Sequence, residues 1–399
     1  MKNMEKKRVI IVGGGASGLM AAIAAAQNGA AVTLLEQNEK PGKKICVTGN
    51  GKCNFTNIQE QADAYRGENP DFWQEALKQF SVEATVAFFT RLGIYPVNKN
   101  NGYLYPHSGQ AASVAEVLCM EARNLGVKIK TNQKVQRVFR ETDIWKIQVE
   151  GWTYEGDAVI LANGSKASAI SGSDGSGYEL AAALGHKIIE PLPALTALKC
   201  RNTGFSGWAG VRTEGRATLL VDGKKAAEET GELQLTDYGV SGIPVFQVSR
   251  YGIRALKQGK NVTLNLNFLP EFSREQLNTF LKMRKENCPY KGKKEFLTGL
   301  FPDKLAKVLL AAKDLEEAIF SYSLRVTGYH SFEQAQVCSG GVDTRSVDKR
   351  TLESRQNPGL YFAGELLDVD GKCGGYNLQW AWSSGYVAGI NAARQQKNT

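Results

Sequence analysis

Residues 9–18 of the chain read VIIVGGGASG, a short β-branched run followed directly by a glycine-rich turn. A run of this composition is typical of a buried parallel strand. Gly13, Gly15 and Gly18 form the pattern G-x-G-x-x-G, and the small apolar residues at 19–26 predict a helix. The stretch therefore predicts a strand, a tight turn and a helix in immediate succession.

Each glycine in this pattern has a mechanical role. Gly13 allows the tight turn, Gly15 lets the backbone approach a pyrophosphate, and Gly18 lets the helix pack closely on the strand. The helix N-terminus offers free N–H groups and a positive dipole end to phosphates. A second strand, predicted at 30–35, ends at Glu36, whose carboxylate suits a ribose hydroxyl. Together these parts predict a dinucleotide-binding βαβ unit.

Composition places the chain among globular enzymes. Its 399 residues are enough for two or three domains, and 42% of them are hydrophobic and 22% charged. Lys and Arg number 49 against 40 Asp and Glu, so the formal net charge is +9. This charge either serves solubility or indicates an anionic partner, such as cofactor phosphates, NAD(P)H, a carboxylated substrate or RNA.

The cysteine and histidine patterns argue against metal and disulfide sites. Seven cysteines include no C-x-x-C pair, and there are three histidines, so we expect no metal site, no disulfide framework and a reducing, cytoplasmic location. Six residues separate Cys46 from Cys53, where the glutathione reductase class has four, which disfavours a catalytic disulfide. The basic start of the chain runs into the glycines at 13–15 and is interpreted as a strand rather than a signal peptide. No stretch approaches the roughly 20 apolar residues of a spanning helix, so membrane insertion is not expected.

The loop after Glu36 carries the most specific motif. Residues 38–57 read NEKPGKKICVTGNGKCNFTN, a basic loop of turns that should run along the cofactor because it follows the ribose-binding acid. Together with residues 13–19 (GGGASGL) and 34–38 (LLEQN), this loop resembles a bacterial family of FAD-containing flavoproteins. That family includes the bile-acid-inducible flavoenzyme BaiN, ribosomal RNA dihydrouridine synthase A and aminoacetone oxidase, and its hallmark is G-K-K…T-G-N-G-[KR]-C-N-x-T-N.

The last 70 residues resemble the same family. A buried strand at 360–363 is followed by Gly364-Glu365, in the place of the Gly-Asp pair that faces the ribityl and phosphate groups in such flavoproteins. GGYNLQ, at 374–379, opens a final helix. The resemblance implies that its N-terminus points at the N1–C2=O edge of the flavin, where a positive dipole end favours the reduced ring.

The fold class that follows is α/β: a discontinuous, Rossmann-like, two-dinucleotide-type FAD-binding fold with an inserted antiparallel, barrel-like β domain and a small helical insert. The expected domains are 1–190 with 338–399 for FAD, 191–270 with 321–337 for the β-rich insert over the flavin face, and 271–320 for the helical insert. Periodicity and turn signals predict helices at 71–92 and 111–125, strands at 127–129, 135–139 and 158–161, and a short aromatic strand within 98–108. Residues 171–186 resemble the usual glycine-rich entry to a helix, with Asp174 as its cap. Residues 194–268 are predicted to form short strands, with a hairpin at Asp222-Gly223, and residues 271–320 are predicted to be helical.

The resemblance also implies a set of cofactor-binding residues. Val135 is the candidate for the adenine edge, and Asn163 stands where such flavoproteins have Thr in Ala-Thr-Gly. The catalytic residue is not identified, because the candidate proton donors Cys53, Tyr105, His107 and Cys373 are chemically able but none is required. The cofactor-binding candidates are Gly13, Gly15, Ala16, Ser17, Glu36, Gln37, Lys43, Lys44, Thr48, Asn50, Gly51, Val135, Ala162, Gly164, Gly364, Glu365, Gly375, Tyr376, Asn377 and Leu378.

The resemblance implies a function that depends on hydride transfer by FAD, and the substrate hypotheses follow from its individual branches. The first hypothesis is an NAD(P)H-using ene reductase that reduces a carbonyl-conjugated C=C bond, with a 3-oxo-Δ4 or Δ4,6 bile-acid intermediate as the suggested apolar enone. The alternatives are uridine reduction in ribosomal RNA and an aminoacetone-type amine oxidase. No second G-x-G-x-x-G is present, so the nicotinamide would visit the flavin without its own Rossmann domain.

Two stretches of the middle region bear on these alternatives. Residues 231–250 resemble the family's substrate-domain string, but Asp237 stands where the family more often has His, so that residue's role does not transfer. Residues 282–307 hold eight Lys or Arg and three acids with interleaved aromatics, which indicates either a solvated helical face or an RNA-facing patch.

Overall fold

The computed structural model describes residues 6–59, 61–99, 102–201 and 207–394. The chain divides into two compact units. The first holds the described residues up to Pro191 and from Val337 onwards, and the second runs from Leu192 to Gln336.

The strands are β1 Arg8–Val12, β2 Ala31–Leu35, β3 Thr56–Asn57, β4 Tyr65–Arg66, β5 Pro96–Lys99, β6 Tyr103–Pro106, β7 Lys128–Lys130, β8 Arg137–Glu141, β9 Ile144–Val149, β10 Trp152–Gly156, β11 Ala158–Leu161, β12 Ile188–Ala194, β13 Leu198–Cys200, β14 Arg212–Val221, β15 Lys224–Leu235, β16 Gly239–Ser241, β17 Val262–Asn267, β18 Tyr322–Tyr329, β19 Val337–Val342, β20 Leu360–Phe362 and β21 Asp370–Gly371. The helices are α1 Ala16–Gln27, α2 Gln74–Gln79, α3 Val82–Arg91, α4 Ala111–Asn124, α5 Ser176–Ala183, α6 Ile243–Lys257, α7 Arg274–Asn287, α8 Asp303–Leu310, α9 Leu315–Phe320 and α10 Tyr376–Ala393.

The first unit is built on a five-stranded sheet in the order β20-β11-β1-β2-β7, with every neighbouring pair parallel. All the residues of β11 and of the edge strand β20 are buried, as expected for a parallel sheet covered on both faces. The predicted Rossmann-type sheet is therefore confirmed. Because β1, β11 and β20 are adjacent and parallel, their C-terminal turns meet at one edge of the sheet.

Helices α1 and α10 pack together through glycines. A Cβ atom at Gly385 would lie 2.4 Å from the carbonyl oxygen of Ser17, and one at Gly389 would lie 2.5 Å from that of Ala21. Both helices are buried on nearly all sides, and α1 consists mainly of small residues. The contact holds the N-terminal and C-terminal segments of the unit in one core.

Smaller sheets complete the first unit: β10-β9-β8, β3-β6-β5, β21-β4 and β12-β19. The three-stranded sheet β3-β6-β5 follows the motif-bearing loop directly in sequence. Residues 71–92 form α2 and α3 rather than the single helix that we predicted, because Ser81 interrupts the first helix and caps the second by accepting a hydrogen bond from the backbone N–H of Ala84 at 3.3 Å.

The second unit contains a closed barrel in the order β13-β16-β15-β14-β17-β18. The predicted hairpin at Asp222-Gly223 is confirmed: both residues have positive φ, +48° and +78°, as a type I′ turn requires. Side chains of α7 and α8, among them Leu277 and Leu305, join the same buried core as the barrel strands.

The prediction of strands alone between 194 and 268 is wrong. This stretch contains α6, which starts with Pro244 in its first turn and buries Val245, Val248 and Ile253. Their spacing is helical, and Pro in the first helical turn is a start signal. The strand signals on both sides obscured this pattern.

His186 joins separate segments of the first unit. Its Nδ1 lies 2.8 Å from Oγ of Ser346 and its Nε2 lies 3.0 Å from Oγ of Ser354. Burial lowers the pKa of His186 below its ordinary value of 6.5. The folded chain therefore favours the neutral ring, whereas the unfolded chain binds the proton more readily.

We predict that His186→Gln flattens the acid side of the stability profile. The contribution of a group with a lowered folded pKa is complete above about pH 6.5 and is lost as the pH falls. Between about pH 7.5 and 5.5, the free energy of unfolding from urea titrations should fall less steeply in the variant, by at most about 1.4 kcal/mol per pH unit. His107→Gln, at an exposed position, is the control. An unchanged slope in His186→Gln would contradict this assignment.

Candidate functional site

The three glycines of the turn after β1 differ in what surrounds them. Gly13 has a φ of +103°, and a Cβ atom there would lie 2.5 Å from the carbonyl oxygen of Ala162. At Gly18 a Cβ atom would lie 1.9 Å from the carbonyl oxygen of Gly13, so only glycine lets α1 approach the turn this closely. Gly15 precedes α1 and has no atom within 4 Å of its Cβ position. The amides at the start of α1, which belong to Ala16 and its neighbours, are thus reached through open space, as anion binding requires.

Glu36 is a buried carboxylate held in one orientation. Its Oε2 accepts a hydrogen bond from the backbone N–H of Gly14 at 2.7 Å, and its Oε1 accepts two from Asn38, at 2.7 Å from N and 2.6 Å from Nδ2. Each carboxylate oxygen accepts about two hydrogen bonds, so Oε2 keeps capacity for one more donor. A ribose hydroxyl is such a donor.

Residues next to Glu36 provide a candidate adenine edge. The backbone N–H of Gln133 donates to the carbonyl of Glu36 at 2.8 Å, which places the segment that leads to Val135 beside it. Val135 is buried, and its backbone N–H and C=O have no hydrogen-bond partner within the described ranges. Gln37 is fixed by donating its side-chain amide to the carbonyl of Gly172. A buried strand residue with both backbone groups free is suited to pair with a planar heterocycle.

The loop after β2 makes an irregular 3₁₀ segment, Ile45–Gly51. Thr48 is extended, whereas Gly49, Asn50 and Gly51 all have positive φ, from +53° to +79°. Consecutive left-handed residues turn the backbone amides outward, and Asn50 and Gly51 are exposed. This segment offers amides and a carboxamide to a ligand.

An ion pair joins the loop to the C-terminal segment. Nζ of Lys44 lies 2.6 Å from Oε2 of Glu365, and the same oxygen accepts a hydrogen bond from Oγ of Ser165 at 3.0 Å. Both charged side chains are mostly buried, so the pair is screened less than a surface pair. Lys43, in contrast, is exposed. The ion pair connects three segments that are far apart in sequence at the edge of the sheet.

Two left-handed glycine turns complete this edge. Gly364 follows β20 and has a φ of +73°. It packs so closely on α1 that a Cβ atom at this position would lie 2.4 Å from Oγ of Ser17. Gly164, with φ of +76°, follows β11 in the corresponding position. Between β11 and Gly164, Asn163 has a buried Oδ1 without a hydrogen-bond partner in the described part of the chain.

The N-terminus of α10 is left open. Gly375, with φ of +97°, precedes the helix, and no side chain caps the first amides. Its Cβ position is 2.7 Å from the carbonyl oxygen of Thr56 and 3.0 Å from Oδ1 of Asn54, a buried atom that has no partner within the described residues. An 18-residue helix with a free N-terminus favours negative charge next to it.

The side chains that start α10 bind the protein itself. Oη of Tyr376 donates to the carbonyl of Gln59 at 2.9 Å, and Asn377 bonds both the N–H and the C=O of Gly371. Leu378 is half-buried. The polar side chains of Tyr376 and Asn377 therefore support the start of the helix, whose backbone amides are not capped by a side chain.

The structure separates the four candidate proton donors. Cys53 is fully buried, and burial raises the pKa of its thiol to about 12. His107 is exposed beside Tyr95, Cys373 is half-buried, and Tyr105 is half-buried beside Gly49. Cys46 and Cys53 are both free thiols. Accessibility therefore favours the other three over Cys53.

Sequence reasoning did not single out Asn54 or Ser165. Asn54 lies inside the T-G-N-G-K-C-N string, so the motif contained the signal, whereas nothing in the sequence distinguishes Ser165. No cluster of three or more His, Cys, Asp or Glu able to hold a metal occurs within the described ranges, and every helix there is too short or too polar to cross a bilayer.

These residues fit a long dinucleotide such as FAD. The open space at Gly15, the free backbone of Val135 and the unpartnered Oδ1 atoms of Asn54 and Asn163 all need a polar ligand or water. The segments that carry them precede or follow strands and helices of one unit. This distribution matches the pyrophosphate, adenine and ring portions of that cofactor.

Comparison with known proteins agrees with this assignment. The family model described as HI0933-like protein Rossmann domain matches residues 7–391. A protein of Clostridium scindens named 3-dehydro-bile acid delta(4,6)-reductase is 46% identical over 383 residues, covering 92% of this chain and 93% of that protein. The ribosomal RNA dihydrouridine synthase of Haemophilus influenzae is 30% identical, with 92% and 94% covered.

One solved structure is similar over the whole length. The crystal structure of 3-ketosteroid-delta4-(5alpha)-dehydrogenase from Rhodococcus jostii RHA1, in complex with 4-androstene-3,17-dione, has a TM-score of 0.51 and 15% identity, with 99% of both chains covered. At this identity the likeness concerns the fold alone.

We predict that Gly15→Ala separates cofactor binding from folding. Gly15 has φ of −77° and ψ of −166°, which alanine adopts, and its Cβ position is open. The methyl group would occupy the space for a phosphate. The dissociation constant for FAD should therefore rise about tenfold or more, that is by about 1.4 kcal/mol, while the midpoint of thermal unfolding of the apoprotein stays within about 2 °C.

Titration of the apoprotein with FAD, followed by flavin fluorescence, measures this effect. Gly328→Ala is the matched control, because a Cβ atom there would make only ordinary contacts of 3.8 Å with Lys199. Wild-type affinity in Gly15→Ala would exclude Gly15 from the phosphate site.

Proposed function

The chain belongs to the HI0933-like protein Rossmann-domain family and is an FAD-dependent oxidoreductase, and from this premise we propose that it reduces a carbon–carbon double bond conjugated to a carbonyl. The substrate that we propose is a 3-oxo steroid of the bile-acid type with Δ4 or Δ4,6 unsaturation, and the electron donor is NAD(P)H. The observation that carries this proposal is the 46% identity, over nearly the full length of both chains, to a protein named for that reaction.

The chemistry of such a substrate defines what the protein must do. Conjugation makes the β carbon electron-poor, so it accepts a hydride, and the α carbon then takes a proton from an acid. Bound FAD supplies the two-electron redox chemistry, and the protein supplies binding, orientation and charge. The chain must therefore hold the cofactor firmly, stabilise negative charge and present an acid.

The first unit has the residues for these tasks. We assign the pyrophosphate to the amides at Gly15 and α1, a ribose hydroxyl to Glu36 and adenine to Val135. The Lys44–Glu365 ion pair fixes the loop and the C-terminal segment against each other. The open N-terminus of α10 stabilises an anion, and the reduced cofactor is the anion that we assign to it.

Reduction of uridine in ribosomal RNA is a second candidate, supported by the relative named for that activity at 30% identity. The structure gives limited support to RNA binding by the basic segment 282–307. Phe296 and Phe301 pack with the barrel core, so of the three aromatics in this segment only Tyr290 is exposed and available for base stacking. Arg284 donates to backbone carbonyls at 2.6 and 2.7 Å, which is a structural use of its charge.

Anaerobic stopped-flow spectroscopy tests the first proposal. We predict that NADH or NADPH bleaches the flavin absorbance of the FAD-loaded protein, and that 3-oxo-Δ4 or 3-oxo-Δ4,6 bile acids restore it at least about 100-fold faster than buffer. Each reoxidation should remove one C=C bond, so the Δ4 substrate gives the saturated ketone and the Δ4,6 substrate gives a ketone with one C=C bond left. The saturated 3-oxo bile acid is the matched control, since it lacks an electron-poor alkene carbon. If no enone restores the absorbance faster than the saturated control, the proposal is wrong.

The RNA candidate has its own arm of this experiment. It predicts an affinity for ribosomal RNA fragments that falls steeply with salt, and reoxidation of the reduced protein by RNA rather than by enones. Enone-driven reoxidation with no response to RNA decides in favour of the steroid substrate.

A further inference from the structure

The three-stranded sheet β3-β6-β5 has one face that carries two tyrosines and a lysine. In the antiparallel register, Tyr105 pairs with Val97, and Tyr103 pairs with Lys99 on one side and with Asn57 on the other. Paired residues lie on the same side of an antiparallel sheet, and so do residues two apart on one strand. These five residues therefore form a single surface, which we name the tyrosine face.

The tyrosine face lies on both glycine turns of the site. A Cβ atom at Gly49 would lie 3.3 Å from Cε1 of Tyr105, and one at Gly374 would lie 2.8 Å from Cε1 of Tyr103. Nδ2 of Asn57 also donates to the carbonyl of Gly374 at 3.0 Å. Gly49 belongs to the left-handed loop, and Gly374 precedes the open N-terminus of α10. The face therefore borders the loop that offers amides to a ligand and the helix N-terminus that we assign to the reduced cofactor.

Tyr105 is the member of this face with a free acidic proton. Its hydroxyl has no hydrogen-bond partner within the described ranges, and the side chain is half-buried rather than enclosed. Burial, and then the neighbouring Cys53, raises the pKa of Tyr105 above its ordinary value of 10.0, so the phenol is protonated at neutral pH. Nζ of Lys99 lies 5.7 Å from the centroid of the ring, where a cation stabilises a phenolate.

We propose that Tyr105 is the proton donor of the reduction, with Lys99 as the residue that stabilises its phenolate. This inference rests on the proposed function. A hydride from the reduced two-electron donor adds to the β carbon and leaves an enolate. The O–H bond of Tyr105 then breaks, the electron pair of the enolate forms a C–H bond at the α carbon, and the phenolate regains its proton from water.

Two hydride acceptors test this role: one gives a product anion that must be protonated, and the other gives a stable anion. With an enone, Tyr105→Phe should restore flavin absorbance at least about 100-fold more slowly than the wild-type protein. Hydride addition to an enone is reversible, so an enolate that finds no acid returns its hydride to the donor and net reoxidation waits for protonation. With 1-nitrocyclohexene, the product of hydride addition is a stable nitronate that needs no protonation. The variant should then react within about twofold of the wild-type rate.

Tyr95→Phe is the matched control. Tyr95 is 69% exposed and lies in the same unit, and its replacement should leave both rates unchanged. If Tyr105→Phe slows both acceptors equally, Tyr105 has only a structural role and the proposal is overturned. If it slows neither, another group donates the proton. If the wild-type protein reduces no enone, the proposed function fails and this assignment fails with it.

Chemical modification gives a readout that does not depend on turnover. Tetranitromethane nitrates accessible phenols, and the sites are mapped by peptide mass spectrometry. In the FAD-loaded protein, 3-oxo-5β-cholanoic acid should slow nitration of Tyr105 at least about fivefold, because a bound steroid covers the phenol, while the exposed Tyr95 and Tyr290 react as before. Equal nitration of Tyr105 with and without the steroid would overturn the proposal.

Discussion

The close packing of α1 on α10 is the constraint on which the first unit depends. With hydrogen at positions 385 and 389, the backbone of α10 approaches the carbonyl oxygens of Ser17 and Ala21 more closely than any side chain would permit. This contact joins helices that are separated by 348 residues in the sequence. Because β20 also adds to the same parallel sheet as β1, the turn at Gly364 and the turn at Gly13 lie at one edge. The site is therefore a product of helix packing as much as of the motifs themselves.

Buried polar side chains at this edge of the sheet differ in whether they have hydrogen-bond partners. Gln379, near the start of α10, has partners for both groups of its side-chain amide. Its Oε1 accepts a hydrogen bond from Thr56 at 2.6 Å, and its Nε2 lies 2.9 Å from Oγ1 of Thr85 and from Oγ of Ser383. In contrast, Oδ1 of Asn54, beside Gly375, and Oδ1 of Asn163, after β11, are buried without partners in the described part of the chain. An unpaired buried polar group costs about 1–3 kcal/mol, so a polar ligand that reaches these atoms recovers that cost. A fixed side chain at Gln379 and unpaired buried oxygens at Asn54 and Asn163 are together typical of a preorganised binding site.

The sequence was informative where a motif determines backbone geometry and less so where packing decides. G-x-G-x-x-G requires a tight turn and a close helix whatever the rest of the chain does, and the parallel sheet followed from it. Helix α6 was missed because its apolar period lies among strand signals and its burial depends on a barrel that one segment cannot reveal. The solvent exposure of a candidate acid is likewise a tertiary property. Cys53 and Tyr105 are equally plausible in sequence, and only the fold encloses the first and leaves the second accessible.

The two units have separate hydrophobic cores, and this bears on how the family varies. The core around Ile11 and Leu161 shares no buried residue with the core around Leu219 and Leu264 in the barrel. Substitutions that share no partners add nearly independently in free energy, so changes within the barrel core are not expected to alter the packing of the first unit's core. Relatives named for a steroid reaction and for an RNA reaction both align with more than nine-tenths of this chain. Separate hydrophobic cores let the sequence change in one unit without repacking the other, which is a physical route to such divergence on one fold.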